Sequence, residues 1–443
     1  MRLLSPLSFL GQLTLLTLAL VSCGAQQSAL PAPQPEQAAA QIVTVSVRAG
    51  TTQAELLSRY PGAKVLSLHP GEGYAQLLAT AQSAVAPSMS GLSLRAQAVS
   101  VVATEPDLTL SASVTDTEVA AQGNTAWSSG NIAWSSGNIA WSSGLTGTGG
   151  AGALTGNAAA WTKLDLGTAQ KADARLGQGM LVAVLDTGID TRHPAFAGHL
   201  NTALGWDYIG NDADPSEENW AGAGNFSPSF GHGTAVSGVI LQVAPNATVV
   251  PYRVLSPNGS GKLSNIILAV NDAVSKGAKI INMSLGTVRA SVALNDAVGS
   301  AIRSGAMVVA SSGNSGDENV TYPARSSPDV QGSLGGGLIS VGSVNLSDKK
   351  SDFSTYGSSI DVLAPGEAVA TAFPGAQRTN ATGTSFAAPM VSGAVALAMA
   401  AGRTNVAALY TSLKATATAS TDTGYSGKLG KGTLNIGKLM VSK

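Results

Sequence analysis

The chain has 443 residues, of which 12% are charged, and a formal net charge of −1. The usual charged share is about 25%, and a chain this close to neutral has no basic stripe for nucleic acid, so no such partner is expected. The length suits two or three domains, one with a sizeable core, and the 52 glycines imply many turns and close backbone approaches.

In chain order, Arg2 precedes an apolar run from Leu13 to Val21. That run is too short for a mature membrane span, so residues 1–22 read as an export signal. Leu20-Val21-Ser22-Cys23 resembles a bacterial lipobox, in which the cysteine becomes the lipidated first residue. The alternative is an ordinary secretory signal with a chance cysteine near the cut. Cys23 is the only cysteine, so there is no internal disulfide and stability must come from packing or metal. Residues 23–41, rich in Ala, Gln and Pro, read as a flexible tether. No other apolar run reaches transmembrane length.

From Ile42 the pattern changes. QIVTVSVR alternates like a strand, TTQAELLSRY has a Thr start and helical spacing, and KVLSLHP is a short strand. YAQLLATAQSA reads as a strand running into a helix, and AVSVVATEP closes the segment. This β-α-β-β-α-β order over residues 42–112 suits a small α+β domain. Residues 113–160 hold AWSSGNI twice, at 126–132 and 133–139, a partial third copy to Gly144, and a Gly-rich stretch. The period is seven, but a glycine in every copy argues against a coiled coil. Trp127, Trp134 and Trp141 either bind a surface polymer or pack along an extended spacer; the spacer is the simpler reading.

From Trp161 to the end, MLVAVLD, ATVVPYRVL, KIINMSL, AMVVASSG, LISVGSV and SIDVLAP alternate with helical segments such as KLSNIILAVNDAVSKG and ALNDAVGSAIRSG. Near-continuous Val/Ile runs between helices predict an α/β domain over 161–443, with a doubly wound, mainly parallel sheet buried on both faces. Function in such sheets sits at the carboxyl ends of strands. Asp186 ends one apolar strand. His232 opens a small-residue helix in GHGTAVSGVI, and Ser385 opens another in NATGTSFAAPMVSGAVAL. Free N–H groups at the start of that last helix favour developing negative charge.

Together DTGID, GHGTAVSG, NMSLG, SSGNSG and GTSFAAPMVSG, in that order, resemble the subtilase family over roughly residues 161–443. The order Asp, His, Ser is that of subtilisin. The resemblance implies a secreted or cell-surface serine endopeptidase acting on protein or peptide substrates, with no cofactor for its chemistry. It implies that His232 is the base, that Asp186 orients it, that Ser385 is the nucleophile, and that Asn314 donates to the oxyanion. It nominates Gly259, Ser260 and Gly261 as one substrate edge and Ser284, Leu285 and Gly286 as the other. Ser311, Ser312 and Gly313 would wall the pocket for the side chain preceding the cut, with Thr321 near its base. Tyr322-Pro323 matches a cis position. His69, His193 and His199 have no partner motif and read as surface or packing residues.

The family pattern also has gaps here. Only LQVAPN separates GHGTAVSGVI from ATVVPYRVL, too little for the loop that often binds calcium tightly, and Ala195 stands near an expected aspartate ligand. GWDYIGNDADPSEENW resembles a thermitase-like metal loop, which makes Asp207, Asp212 and Asp214 candidate ligands of a structural calcium. Gly210 replaces a further carboxylate, and a solvated acidic loop is the equal alternative. Residues 42–112 resemble the inhibitor-like, ferredoxin-like propeptide of the family, which makes the chain's own propeptide a partner until it is cut. A lipid on Cys23 would add the membrane as a partner before processing. Two other classes stay open: a catalytically silent surface lipoprotein, and an adhesion protein acting through the Trp repeat.

Overall fold

The computed structural model describes residues 40–79, 101–111, 155–221 and 226–442. The export signal, Cys23, most of the tether, the helix expected after YAQLLA and the Trp repeat lie outside these residues. Four strands come first: β1 (Gln41–Ser46), β2 (Lys64–His69), β3 (Tyr74–Ala79) and β4 (Val101–Pro106). They form an antiparallel sheet in the order β2-β3-β1-β4. Alternation in β1 sends Val43 and Val45 to a small core with Leu77 and with Leu56 of α1 (Gln53–Arg59), while Ile42 joins the main core. Thr52 and Glu55 close a capping box at the start of α1. A three-residue strand, β5 (Thr109–Ser111), follows β4.

The C-terminal part opens with α2 (Ala158–Lys163), α3 (Leu166–Ala172) and β6 (Leu181–Asp186). Asn157, expected in the linker, is already buried, with its amide donating to Gln242 Oε1 at 2.8 Å and Ala370 O at 2.7 Å. Next come β7 (Trp206–Asp207), α4 (His232–Val243), β8 (Thr248–Arg253), β9 (Ser260–Lys262), α5 (Leu263–Ser275), β10 (Ile280–Met283), α6 (Val292–Arg303) and β11 (Met307–Ser311). They are followed by α7 (Ser327–Leu334), β12 (Leu338–Val344), β13 (Val362–Pro365), β14 (Val369–Phe373), β15 (Gln377–Ala381), α8 (Thr384–Ala400), α9 (Val406–Thr416) and α10 (Ile436–Val441).

Seven of these strands form one parallel sheet in the order β13-β12-β11-β10-β6-β8-β7. Both faces are covered, which is why the central strands are mostly apolar, with polar residues such as Asp186 and Arg253 at their carboxyl ends. In β6, Val182 and Val184 pack with α4 and α8 on one face, and Ala183 and Leu185 pack with α5 and α6 on the other. All of α8 is buried, as its Ala, Gly and Val content requires. β8 and β7 lie to one side of β6, and β10 to β13 lie to the other, so the order reverses between β6 and β10. A crevice opens at the carboxyl ends of the strands at such a switch point. The antiparallel hairpin of β14 and β15 is a separate sheet that packs on α4, where Thr371 donates its hydroxyl to Ala235 O. Among the described residues no helix is long and apolar enough to cross a membrane.

Candidate active site

Asp186 is the last residue of β6 and is fully buried. Its Oδ1 accepts the Thr187 N–H at 2.8 Å and faces His232 Nδ1 at 2.7 Å. His232 is the first residue of α4. Ionised Asp186 can only accept, so Nδ1 carries the proton, and Nε2 is left as the basic nitrogen of the neutral ring. Burial opposes the imidazolium, but the adjacent Asp186 charge, the bond to it and the charge of Glu217 outweigh burial and raise the His232 pKa.

Ser385 is the second residue of α8, and the His232 ring lies 5.4 Å from that of its neighbour Phe386, centroid to centroid. Ser284, just past β10, donates its hydroxyl to Ser385 O at 2.8 Å. Asn282 and Ser392 extend this tie between β10 and α8. Asn314 follows β11, and its Oδ1 accepts both the N–H and the hydroxyl of Thr384, each at 2.9 Å. Only the amide oxygen can accept from an N–H, so Nδ2 is the opposite end of the amide, beside Gly383.

The remaining predicted substrate residues fall into two groups. Gly259 takes a φ of +81° in the turn before β9, and Gly261 sits in β9 where a Cβ would strike the Val254 carbonyl. At the ends of β10 and β11, Thr321 donates its hydroxyl to Ser312 O at 3.2 Å and stands against Gly286 and Gly313. A Cβ at Gly286 would strike the Thr321 hydroxyl, and Gly313 has a φ of +110°, so both positions require glycine. Leu285, Ser311 and Ser312 are buried beside them. Tyr322-Pro323 is cis. His193 is a packing residue: its Nδ1 accepts the Ala195 N–H at 3.1 Å, and its Nε2 lies 2.9 Å from Gln377 O.

The acidic loop is built around a buried arginine. Asp207 Oδ1 accepts the Ile209 and Gly210 N–H groups, and Oδ2 takes Arg253 Nη1 at 2.8 Å. Glu218 takes Nη2 of the same guanidinium at 2.6 Å. Asp212 and Asp214 turn back on their own loop, accepting from Asp214 N and from Ser216. Among the described residues no three His, Cys, Asp or Glu side chains surround a point that could hold a metal. Asp207 is thus paired with Arg253, while Asp212 and Asp214 hold the loop's own turns.

Sequence reasoning missed several contacts. Thr384 was readable only as a motif letter, and Glu217 and Arg253 pair across long stretches of chain. The only hint of Arg253 was a charge at the end of an otherwise apolar strand.

A parallel α/β sheet with a buried Asp–His pair at its switch point and a serine at the adjacent helix start defines a class, the serine-type endopeptidases. The model of the subtilase family matches residues 177–432, and the chain belongs to that family. Thermitase of Thermoactinomyces vulgaris is 35% identical over 241 residues, covering 52% of this chain and 78% of thermitase. Subtilisin Savinase of Lederbergia lenta is 38% identical over 230 residues, covering 50% of this chain and 76% of its own. A thermophilic serine proteinase of Bacillus sp. (strain AK1) is 35% identical over 238 residues, 52% of this chain and 54% of its own.

Proposed function

We propose that the chain is an exported endopeptidase that cleaves peptide bonds through Asp186, His232 and Ser385, made as a self-inhibited, lipid-anchored precursor. The 2.7 Å approach of His232 Nδ1 to Asp186 Oδ1 at the switch point carries this reading. Ser385 Oγ attacks the peptide carbonyl as its proton passes to His232 Nε2. The oxygen of the tetrahedral intermediate is met by Asn314 Nδ2 and the Ser385 N–H. The C–N bond then breaks, His232 protonates the leaving amine, and an acyl group remains on Ser385. Water repeats the cycle, giving its proton to His232 and freeing the acid. Asp186 holds the tautomer and balances the imidazolium. The substrate backbone adds as a strand between Gly259–Gly261 and Ser284–Gly286.

The precursor reading has its own support. β5 pairs antiparallel with β9, Leu110 opposite Gly261, so the chain's own segment lies along the nominated substrate edge. Leu110 is buried in the main core. On this reading the split β-α-β sheet of residues 42–112 is the propeptide, and Cys23 bears the lipid until maturation frees the protease. The test is labelling with a serine-directed fluorophosphonate after propeptide removal, beside a Ser385→Ala control. Wild type that takes no label ends the enzyme reading.

A further inference from the structure

One carboxylate beside the dyad has no role in the chemistry above. Glu217 Oε1 accepts the Thr187 hydroxyl at 3.1 Å, the Thr234 N–H at 3.1 Å and the Thr234 hydroxyl at 3.2 Å. Its Oε2 accepts the Gly231 N–H at 3.0 Å. Thr187 directly follows Asp186, and its hydroxyl also accepts the Gly233 N–H at 2.9 Å. Glu217 therefore ties the residue after the aspartate to residues on both sides of the histidine. Gly231, the N-cap of α4, has no side chain to satisfy the first N–H groups, and Glu217 supplies that cap from another part of the chain.

We infer that Glu217 is a positioning residue for His232, fixing α4 against the end of β6 and holding negative charge near the imidazolium that forms during proton transfer. This rests on the triad reading. The charged and titratable groups around it are Asp186 from β6, His232 from α4 and Arg253 from β8. Asp190, Arg192 and Asp214 line the same cavity as Glu217. Burial, helped by the Asp186 charge, pushes Glu217 up to about 7 against the pull of its bonds from Gly231, Thr234 and Thr187. Its charge thus changes in the range where a histidine base works. Ionised Glu217 holds the His232 pKa up, so removing its charge lets the ring lose its proton at lower pH.

Glu217→Gln keeps the size and an acceptor oxygen but removes the charge. In the activated enzyme kcat should fall about tenfold with KM nearly unchanged, and the acid limb of the kcat/KM profile should move roughly half a unit lower. Glu217→Ala, which also loses the cap, should lose about a hundredfold in kcat. If Glu217→Gln does not mature, the imidazole of His232 can be titrated by nitrogen NMR in the full chain carrying Ser385→Ala, with and without the substitution. A lower midpoint supports the inference. An unchanged limb or midpoint overturns it, even where stability drops, because a purely structural cap would not move the titration. Wild type that neither cleaves peptide nor takes the fluorophosphonate sinks the triad reading instead.

Discussion

Thr384 gives both its N–H and its hydroxyl to the side-chain oxygen of Asn314, each at 2.9 Å. On the proposed mechanism, the residue before Ser385 thereby decides which end of the amide faces the reacting carbonyl. Removing the corresponding asparagine of subtilisin itself costs about 10²–10³ in kcat, and the same loss is expected for Asn314→Leu. Thr384→Val keeps the N–H bond and loses the hydroxyl bond, so its loss should be smaller, on the order of tenfold. In both variants KM should change little, because the donor acts on charge that appears only in the transition state. Steady-state kinetics on a peptide ester and a peptide amide check this.

If His232 is the base, as proposed, its raised pKa sets the acid side of the activity profile. Burial pulls it down, but Asp186 and Glu217 prevail, so the imidazole stays protonated to a pH above its ordinary 6.5. Only the neutral ring can take the Ser385 proton. Activity should therefore fall with decreasing pH around a midpoint above 6.5, with kcat/KM reporting the free enzyme. A midpoint well below that value would mean the carboxylates do not charge-stabilise the ring.

Much of this arrangement could be read from the chain because it follows from local rules. Strands β6, β8, β10, β11, β12 and β13 are buried on both faces, so each is a short apolar run, and α4 and α8 begin where His232 and Ser385 stand. The β14–β15 hairpin did not announce itself, because QRTNA is polar and pairs only with its partner across a tight turn. β5 has three residues and exists only because β9 offers an edge. Arg253, Glu217 and Glu105 find partners far along the chain, and periodicity carries no information about such pairs.

The Arg253 guanidinium is almost fully buried between Asp207 and Glu218. Arg253→Met would leave Asp207 buried without its cation, and a loss of about 3–5 kcal/mol is expected. Glu218 adds a pH signature. Its folded pKa is lowered from 4.5 to about 2, chiefly by the bond from Arg253. A lowered carboxylate stabilises the fold above its unfolded pKa, so this contribution is complete above 4.5 and fades as pH falls toward 2. Glu218 is half exposed, so the effect is small, and Glu218→Gln should flatten that part of the acid-unfolding curve.

Two carboxylates at the end of β4, Glu105 within it and Asp107 just after it, cap two helices. Glu105 accepts the Ala293 N–H at 2.8 Å and the Val292 N–H at 3.1 Å, at the start of α6. Asp107 accepts the Ser264 N–H and hydroxyl, each at 2.9 Å, at the start of α5. Each contact is worth about 1 kcal/mol by the usual value of a helix cap. If residues 42–112 are the propeptide, as proposed, the double variant Glu105→Gln, Asp107→Asn should let that segment go more readily, shortening the lag before activity appears. An unchanged lag in a progress curve of the full-length protein would show that these caps do not limit release.

Gly233, the residue after His232, offers the sharpest test of how close α4 and β6 must come. A Cβ there would collide with the Gly188 carbonyl and sit 3.0 Å from Asp186 Cβ. Neither neighbour is the end of a flexible side chain, so the backbone carrying the histidine or the aspartate must move. A shift of about 1 Å is enough to cost on the order of 10² in rate. Gly332→Ala is the matched control: it lies inside α7, has nothing within 4 Å of the new Cβ, and should stabilise the helix by roughly 0.5–1 kcal/mol. The rate of fluorophosphonate labelling should therefore drop steeply for Gly233→Ala and stay at the wild-type value for Gly332→Ala. Equal rates in the two would mean that α4 tolerates displacement, and that the short Asp186–His232 bond does not depend on the glycine beside it.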